Sequence, residues 1–116
     1  MTPTLRALAR VRLRELQRRV GAALLESRSG RPGDALATAR AGADRMAAEL
    51  SAVGPSDAAL ATRAEVSALR RRLEEAARAT SPALVELALV LAVGAIERAR
   101  EHAAGIPDHD THTTVR

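Results

Sequence analysis

Residues 34–53 read DALATARAGADRMAAELSAV and contain the most regular apolar spacing in the chain. Apolar residues return at alternating intervals of three and four positions, which is the spacing of one face of an α-helix. Asp34 is the expected N-cap, and Gly54-Pro55 is the expected end, because proline cannot continue a helix. The segment therefore predicts an amphipathic helix whose buried stripe consists of Leu36, Ala39, Ala43, Met46, Leu50 and Val53.

The segments on either side carry the same helical spacing. A preceding helix is expected to begin after Thr4 and end near Ser29, with an apolar stripe at Ala9, Leu13, Leu16, Val20 and Leu24. A following helix is expected to begin near Ser56-Asp57 and end before Thr80, with a stripe at Val66, Leu69, Leu73 and Ala76. Both helices should therefore contribute one face to a common core.

Residues 83–96 read ALVELALVLAVGAI and are apolar on every side apart from Glu86 and Gly94. Ser81-Pro82 predicts the start of this fourth helix, since proline is favoured at the first helical position, and Gly105 is the expected C-terminal cap. A helix without a polar face must be covered by other helices or by lipid. The uncharged stretch 87–96 would be about 15 Å long, against ~30 Å for a bilayer core, so no membrane span is expected.

Four helices joined by short turns predict an all-α, up-down helical bundle in which consecutive helices are antiparallel. Residues 1–105 are expected to form a single helical domain, and the polar, aperiodic residues 106–116 a disordered tail. The composition agrees with this fold class, because the 27 alanines and the leucines are strong helix formers and aromatic residues are absent.

Composition and motifs exclude several classes of function. The chain has no cysteine for disulfides or thiolate metal sites, and no aromatic side chain on which nucleic-acid bases could stack. Nucleotide-binding loops, nucleophile elbows and metalloprotease motifs are absent. The only histidine–carboxylate group, at residues 108–112, has no recognised metal-site spacing. We therefore expect neither catalysis nor a metal nor a cofactor.

Positive charge is concentrated at the start of the chain. All 18 basic residues are arginine, and residues 1–33 contain eight of them against two glutamates, a net charge of +6 where the whole chain has +4. Like charges four residues apart on a helix repel each other, so such a row suggests an anionic counterpart. The candidate anion- or partner-binding residues are Arg6, Arg10, Arg14 and Arg18, which recur every four positions, with Arg12 and Arg19 nearby. The alternative is a merely solvated face.

Self-association is the predicted role, because an alanine-rich core buries little area and the fourth helix has apolar surface to spare. The candidate association surface comprises Leu84, Leu87, Leu91 and Ile96. The chain is predicted to be a non-catalytic interaction protein that pairs with itself or packs into a larger protein complex. The cytoplasm is the expected compartment, because no secretory signal opens the sequence. The alternatives are a nucleic-acid-binding protein that sets the arginine row against phosphates, and a small helical enzyme with an arginine-lined pocket for an anionic substrate.

Overall fold

A computed structural model describes residues 4–29, 33–52 and 56–107 of the chain. These residues form four α-helices and no strand, which confirms the predicted all-α fold. The helices are α1 (Leu5–Arg28), α2 (Asp34–Ser51), α3 (Asp57–Arg78) and α4 (Pro82–Ala103). Val53, the expected Gly54-Pro55 stop and residues 108–116, most of the predicted tail, lie outside the described residues.

Side-chain caps explain where three of the helices begin. The hydroxyls of Thr4, Ser56 and Ser81 each accept a hydrogen bond from the backbone N–H three residues ahead, at 3.1, 3.1 and 3.3 Å. Each bond satisfies one of the N–H groups that a helix start leaves without a partner. Pro82 occupies the first position of α4, where its missing N–H costs nothing. These starts agree with the sequence prediction.

The start of α2 differs from the prediction. Asp34 is the first helical residue and Gly33 is the N-cap, and glycine has no side chain that could cap the helix. Instead, Glu26 of α1 supplies the acceptor, because its Oε1 receives a hydrogen bond from the backbone N–H of Ala35 at 3.2 Å. A carboxylate from the preceding helix thus caps α2 and ties the first turn together.

The helices are arranged in a ring in chain order, and α4 closes the ring against α1. Diagonally opposite helices bring no described Cα atoms within 8 Å of each other. Each seam between neighbours is crossed by one arginine–carboxylate pair of the described residues, namely Arg12–Glu49, Asp44–Arg70, Glu65–Arg98 and Glu86–Arg28 in ring order. These contacts fix the antiparallel register of an up-down bundle.

The core follows the predicted stripes of the first three helices, with small adjustments. On α1, Ala23 is buried and Leu24 only partly so, and on α2 Leu36 is only partly buried. On α3 the stripe extends back to Thr62, the buried polar residue of the described core. Its hydroxyl donates a 2.7 Å hydrogen bond to the carbonyl oxygen of Ala58, so the buried oxygen does not lack a partner.

The buried face of α4 consists mainly of small residues. Five alanines on this face are buried together with Leu89 and Ile96, and the alanines are Ala88, Ala92, Ala95, Ala99 and Ala103. The α3–α4 packing is the most extensive in the bundle. No helix among the described residues combines the length and the apolar character needed to cross a bilayer.

The folded unit extends past the predicted boundary at residue 105. Ile106 is buried in the core, although the sequence assigned it to the tail. Two 3.0 Å hydrogen bonds, from the N–H of Gly105 to the carbonyl of His102 and from the N–H of Ile106 to the carbonyl of Ala103, turn the chain back after α4. This tight turn carries the isoleucine side chain inward.

Replacing a buried leucine of α3 should cost far more stability than replacing an exposed one. Leu69 is fully buried, whereas Leu60 on the same helix is exposed. We expect Leu69→Ala to lower the free energy of unfolding by about 2–5 kcal/mol, because it removes apolar contacts and leaves a cavity. Leu60→Ala should change it by less than about 0.5 kcal/mol. Urea unfolding followed by far-ultraviolet circular dichroism measures both, and equal losses would contradict the assigned core.

Candidate functional site

The exposed side of α4 carries a contiguous row of large apolar side chains. Leu84, Leu87, Val90 and Leu91 are 53%, 54%, 47% and 39% exposed, and together they are called the α4 apolar face below. On the opposite side of the same turns, Ala88 and Leu89 are buried. The first half of the helix therefore packs one side into the core and leaves four large apolar residues on its other side exposed.

Three of the four predicted association residues belong to this face, and the fourth does not. Ile96 is fully buried, so its assignment to the association surface is wrong. Ile96 lies four residues after Ala92 and three before Ala99, on the same side of α4, and this side packs into the core. Val90 takes its place among the exposed residues.

Leu25 of α1 is a further exposed large apolar residue. It lies three residues before Arg28, whose Nη2 is 3.3 Å from the Oε2 of Glu86. Because α1 and α4 are antiparallel, this ion pair sets Leu25 at about the height of Leu89, three residues after Glu86. The sequence analysis missed Leu25, and only the register between two distant segments reveals it.

The six candidate arginines do not form a single surface. Positions four apart on an α-helix turn by about 40° more than a full circle, so a row at this spacing winds around the helix. Arg6, Arg10 and Arg14 face the seam with α4, while Arg18 is exposed outside it. Arg12 and Arg19 lie on the α2 side, where Arg12 binds Glu49 of α2 and Arg19 binds Glu15 of its own helix.

A groove between α1 and α4 brings several of these charges together. Its volume is about 550 Å³, and Leu13 and Ala103 contribute apolar wall. Its charged lining comprises Arg6, Arg10 and Arg14 from α1 and Glu97, Arg100 and Glu101 from α4. Arg100 was not among the predicted binding residues, because its proximity to α1 depends on how the bundle closes. This feature is called the α1–α4 groove below.

Arg12 has a structural partner instead of an open anion site. Its Nε and Nη2 donate hydrogen bonds of 3.1 and 3.0 Å to the two carboxylate oxygens of Glu49, in a bidentate pair. These hydrogen bonds lower the pKa of Glu49, although partial burial opposes the shift, and the charge of Arg45 contributes to the lowering. They also raise the pKa of Arg12. Arg12 therefore joins α1 to α2.

Other candidate chemistry of the sequence is weaker or lies elsewhere. Glu86 is half-exposed and paired with Arg28, as expected for a residue on the less buried side of α4. The residues that the structure describes contain no group of three histidine, cysteine or carboxylate side chains able to hold a metal ion. The histidine–carboxylate group at 108–112 lies outside them.

Comparisons with protein-family models, with curated proteins and with solved structures gave no match to this chain. The α4 apolar face and the α1–α4 groove are the features of the described residues that bear on function.

The Arg12–Glu49 pair should contribute to acid sensitivity. The pKa of Glu49 is lower in the folded chain than in the unfolded chain, so its stabilisation is complete above about pH 5 and is lost as the pH falls through the folded pKa. We expect Glu49→Gln to cost about 1 kcal/mol at pH 7 and to reduce the loss of stability between about pH 6 and pH 3. Urea unfolding at several pH values measures the effect.

Glu75→Gln is the control for this experiment, since Glu75 makes an exposed ion pair with Arg72 within α3. It should change the free energy of unfolding at pH 7 by less than about 0.5 kcal/mol. If Glu49→Gln leaves the pH dependence of wild-type stability unaltered, the pair has no role in acid sensitivity.

Proposed function

We propose that this chain is a non-catalytic helical assembly protein that pairs with a second copy of itself through the α4 apolar face. The observation that carries the proposal is the exposure of three leucines, Leu84, Leu87 and Leu91, on one side of α4. The proposed compartment is the cytoplasm, as expected from the sequence. Packing into a larger assembly would use the same face.

The energetic cost of this face in a monomer supports the proposal. Complete burial of a leucine or valine is worth about 1.5–3 kcal/mol, and four such residues are left about half exposed. Contact with another apolar surface would recover a large part of this free energy. Isolated exposed leucines are common on protein surfaces, but a contiguous row on one helix is typical of a contact surface.

The spacing and charge of the face favour a second copy as the partner. Leu84, Leu87 and Leu91 follow the three-then-four spacing with which leucines of paired helices interlock. An identical helix placed antiparallel about a twofold axis offers the same spacing, so Leu84 of each copy would meet Leu91 of the other. The face carries no charge, and such pairing would bury no unpaired ion.

A charge in the middle of the face should abolish the pairing. We expect the wild-type chain to have a solution mass of twice 12.2 kDa, and Leu87→Glu to have 12.2 kDa. The substitution should raise the dissociation constant at least about 100-fold, because the two glutamates would approach each other across the twofold axis. Sedimentation equilibrium detected by interference optics suits a chain without aromatic residues.

The matched control is Leu60→Glu, which places the same charge at an exposed leucine of α3, outside the face. This variant should retain the wild-type mass, and circular dichroism should show equal helix content in both variants. A wild-type chain that stays at 12.2 kDa up to about 100 μM would refute self-association, as would equal dissociation by the two variants.

A further inference from the structure

The α1–α4 groove concentrates positive charge from two helices. Arg6, Arg10 and Arg14 approach it from α1 and Arg100 from α4, against the carboxylates Glu97 and Glu101. Arg10 and Arg14 form no hydrogen bond or ion pair with any described residue. The groove therefore has a net positive charge and at least two guanidinium groups whose donors are available.

The position of Arg100 is fixed from within the fold. Its Nη1 donates a 2.9 Å hydrogen bond to the Oε1 of Gln17, an uncharged acceptor on α1. A neutral partner holds the guanidinium in place without cancelling its charge, so its other N–H groups can still bind an anion. Gln17 is the only glutamine of the chain, and it lies beside this groove at the α1–α4 seam.

We propose that the α1–α4 groove binds a small anion with a single phosphate group, such as a phosphate monoester, through Arg10, Arg14 and Arg100. Guanidinium groups suit phosphate because they offer two parallel N–H donors to two of its oxygens. The lining also includes Leu13 and Ala103, which are almost fully buried. A volume of about 550 Å³ is within the range of small-molecule sites.

The carboxylates and the winding of the arginine row argue against a nucleic-acid strand at this place. Glu97 and Glu101 line the α4 side of the groove, where they would repel an extended polyphosphate backbone. Arg18, the next arginine of the row, is directed away from the groove and cannot prolong a phosphate track along it. A single phosphate is small enough to bind between Arg10, Arg14 and Arg100 alone.

Calorimetric titration with inorganic phosphate tests the proposal, with a charge-matched pair of double variants. Arg10→Gln with Arg14→Gln removes two groove charges, whereas Arg18→Gln with Arg71→Gln removes two exposed charges outside the groove. At ~0.15 M salt, we expect the groove double variant to raise the dissociation constant for phosphate about tenfold or more. The control double variant should change it less than about twofold. Circular dichroism checks that both remain folded.

A short DNA duplex is titrated in the presence and absence of phosphate to test whether the two compete. The Leu87→Glu variant, which should not self-associate, shows whether phosphate binding depends on pairing. If phosphate binds in the groove, the Leu87→Glu variant should bind it with the same affinity as the wild type, because Leu87 is not part of the groove lining. Three results would overturn the proposal: no phosphate binding by the wild type up to about 10 mM, equal weakening by the two double variants, or DNA binding that phosphate does not compete for.

Discussion

The packing of alanine against its neighbours is the constraint on which the rest of this bundle depends. Eleven of the 22 buried apolar residues in the described core are alanines, and five of those are on α4. An alanine contributes little area of its own, so the larger residues of the facing helices must fill the space between. The core has room for Leu89 and Ile96 of α4, and the remaining leucines of its first turns lie outside.

Polar contacts position the helices more than they stabilise them. Each described seam has one arginine–carboxylate pair, and exposed pairs of this kind contribute about 0–1 kcal/mol each. A smooth alanine surface does little to prevent one helix from sliding along another. The pairs at the seams oppose such sliding, and the hydrogen bond from the Ala35 N–H to the Glu26 carboxylate joins the start of α2 to α1.

The sequence was informative where apolar and charged residues alternate clearly, and where caps mark a helix start. The stripes of α1 to α3 and the capping residues Thr4 and Ser81 were predicted on these grounds. The first half of α4, residues 83–96, is apolar on nearly every side, so its own pattern does not mark the outer side, and Ile96 was assigned to the wrong side. Arg100 and Leu25 became relevant only through contacts between α1 and α4, which lie far apart in the chain.

The arginine row winds around α1, and this winding follows from the sequence alone. A spacing of four exceeds the helical repeat of 3.6 residues, so four successive members are spread over about 120° of the helix surface. Three of them line the α1–α4 groove, and Arg18 does not. Interpreting a charge row therefore requires the helical angle as well as the interval.

The two candidate surfaces lie on different halves of α4, and this separation has a consequence for the proposed pair. The apolar face occupies residues 84–91, whereas the groove lining on α4 occupies residues 97–104. About 13 residues separate Leu87 from the middle of the groove, or ~20 Å along the helix. In an antiparallel pair centred near Leu87, the two grooves would lie at opposite ends, ~40 Å apart, and neither would be covered. Pairing through leucines and binding of an anion are therefore compatible in one assembly, because the helix that provides both surfaces keeps its apolar and charged halves apart.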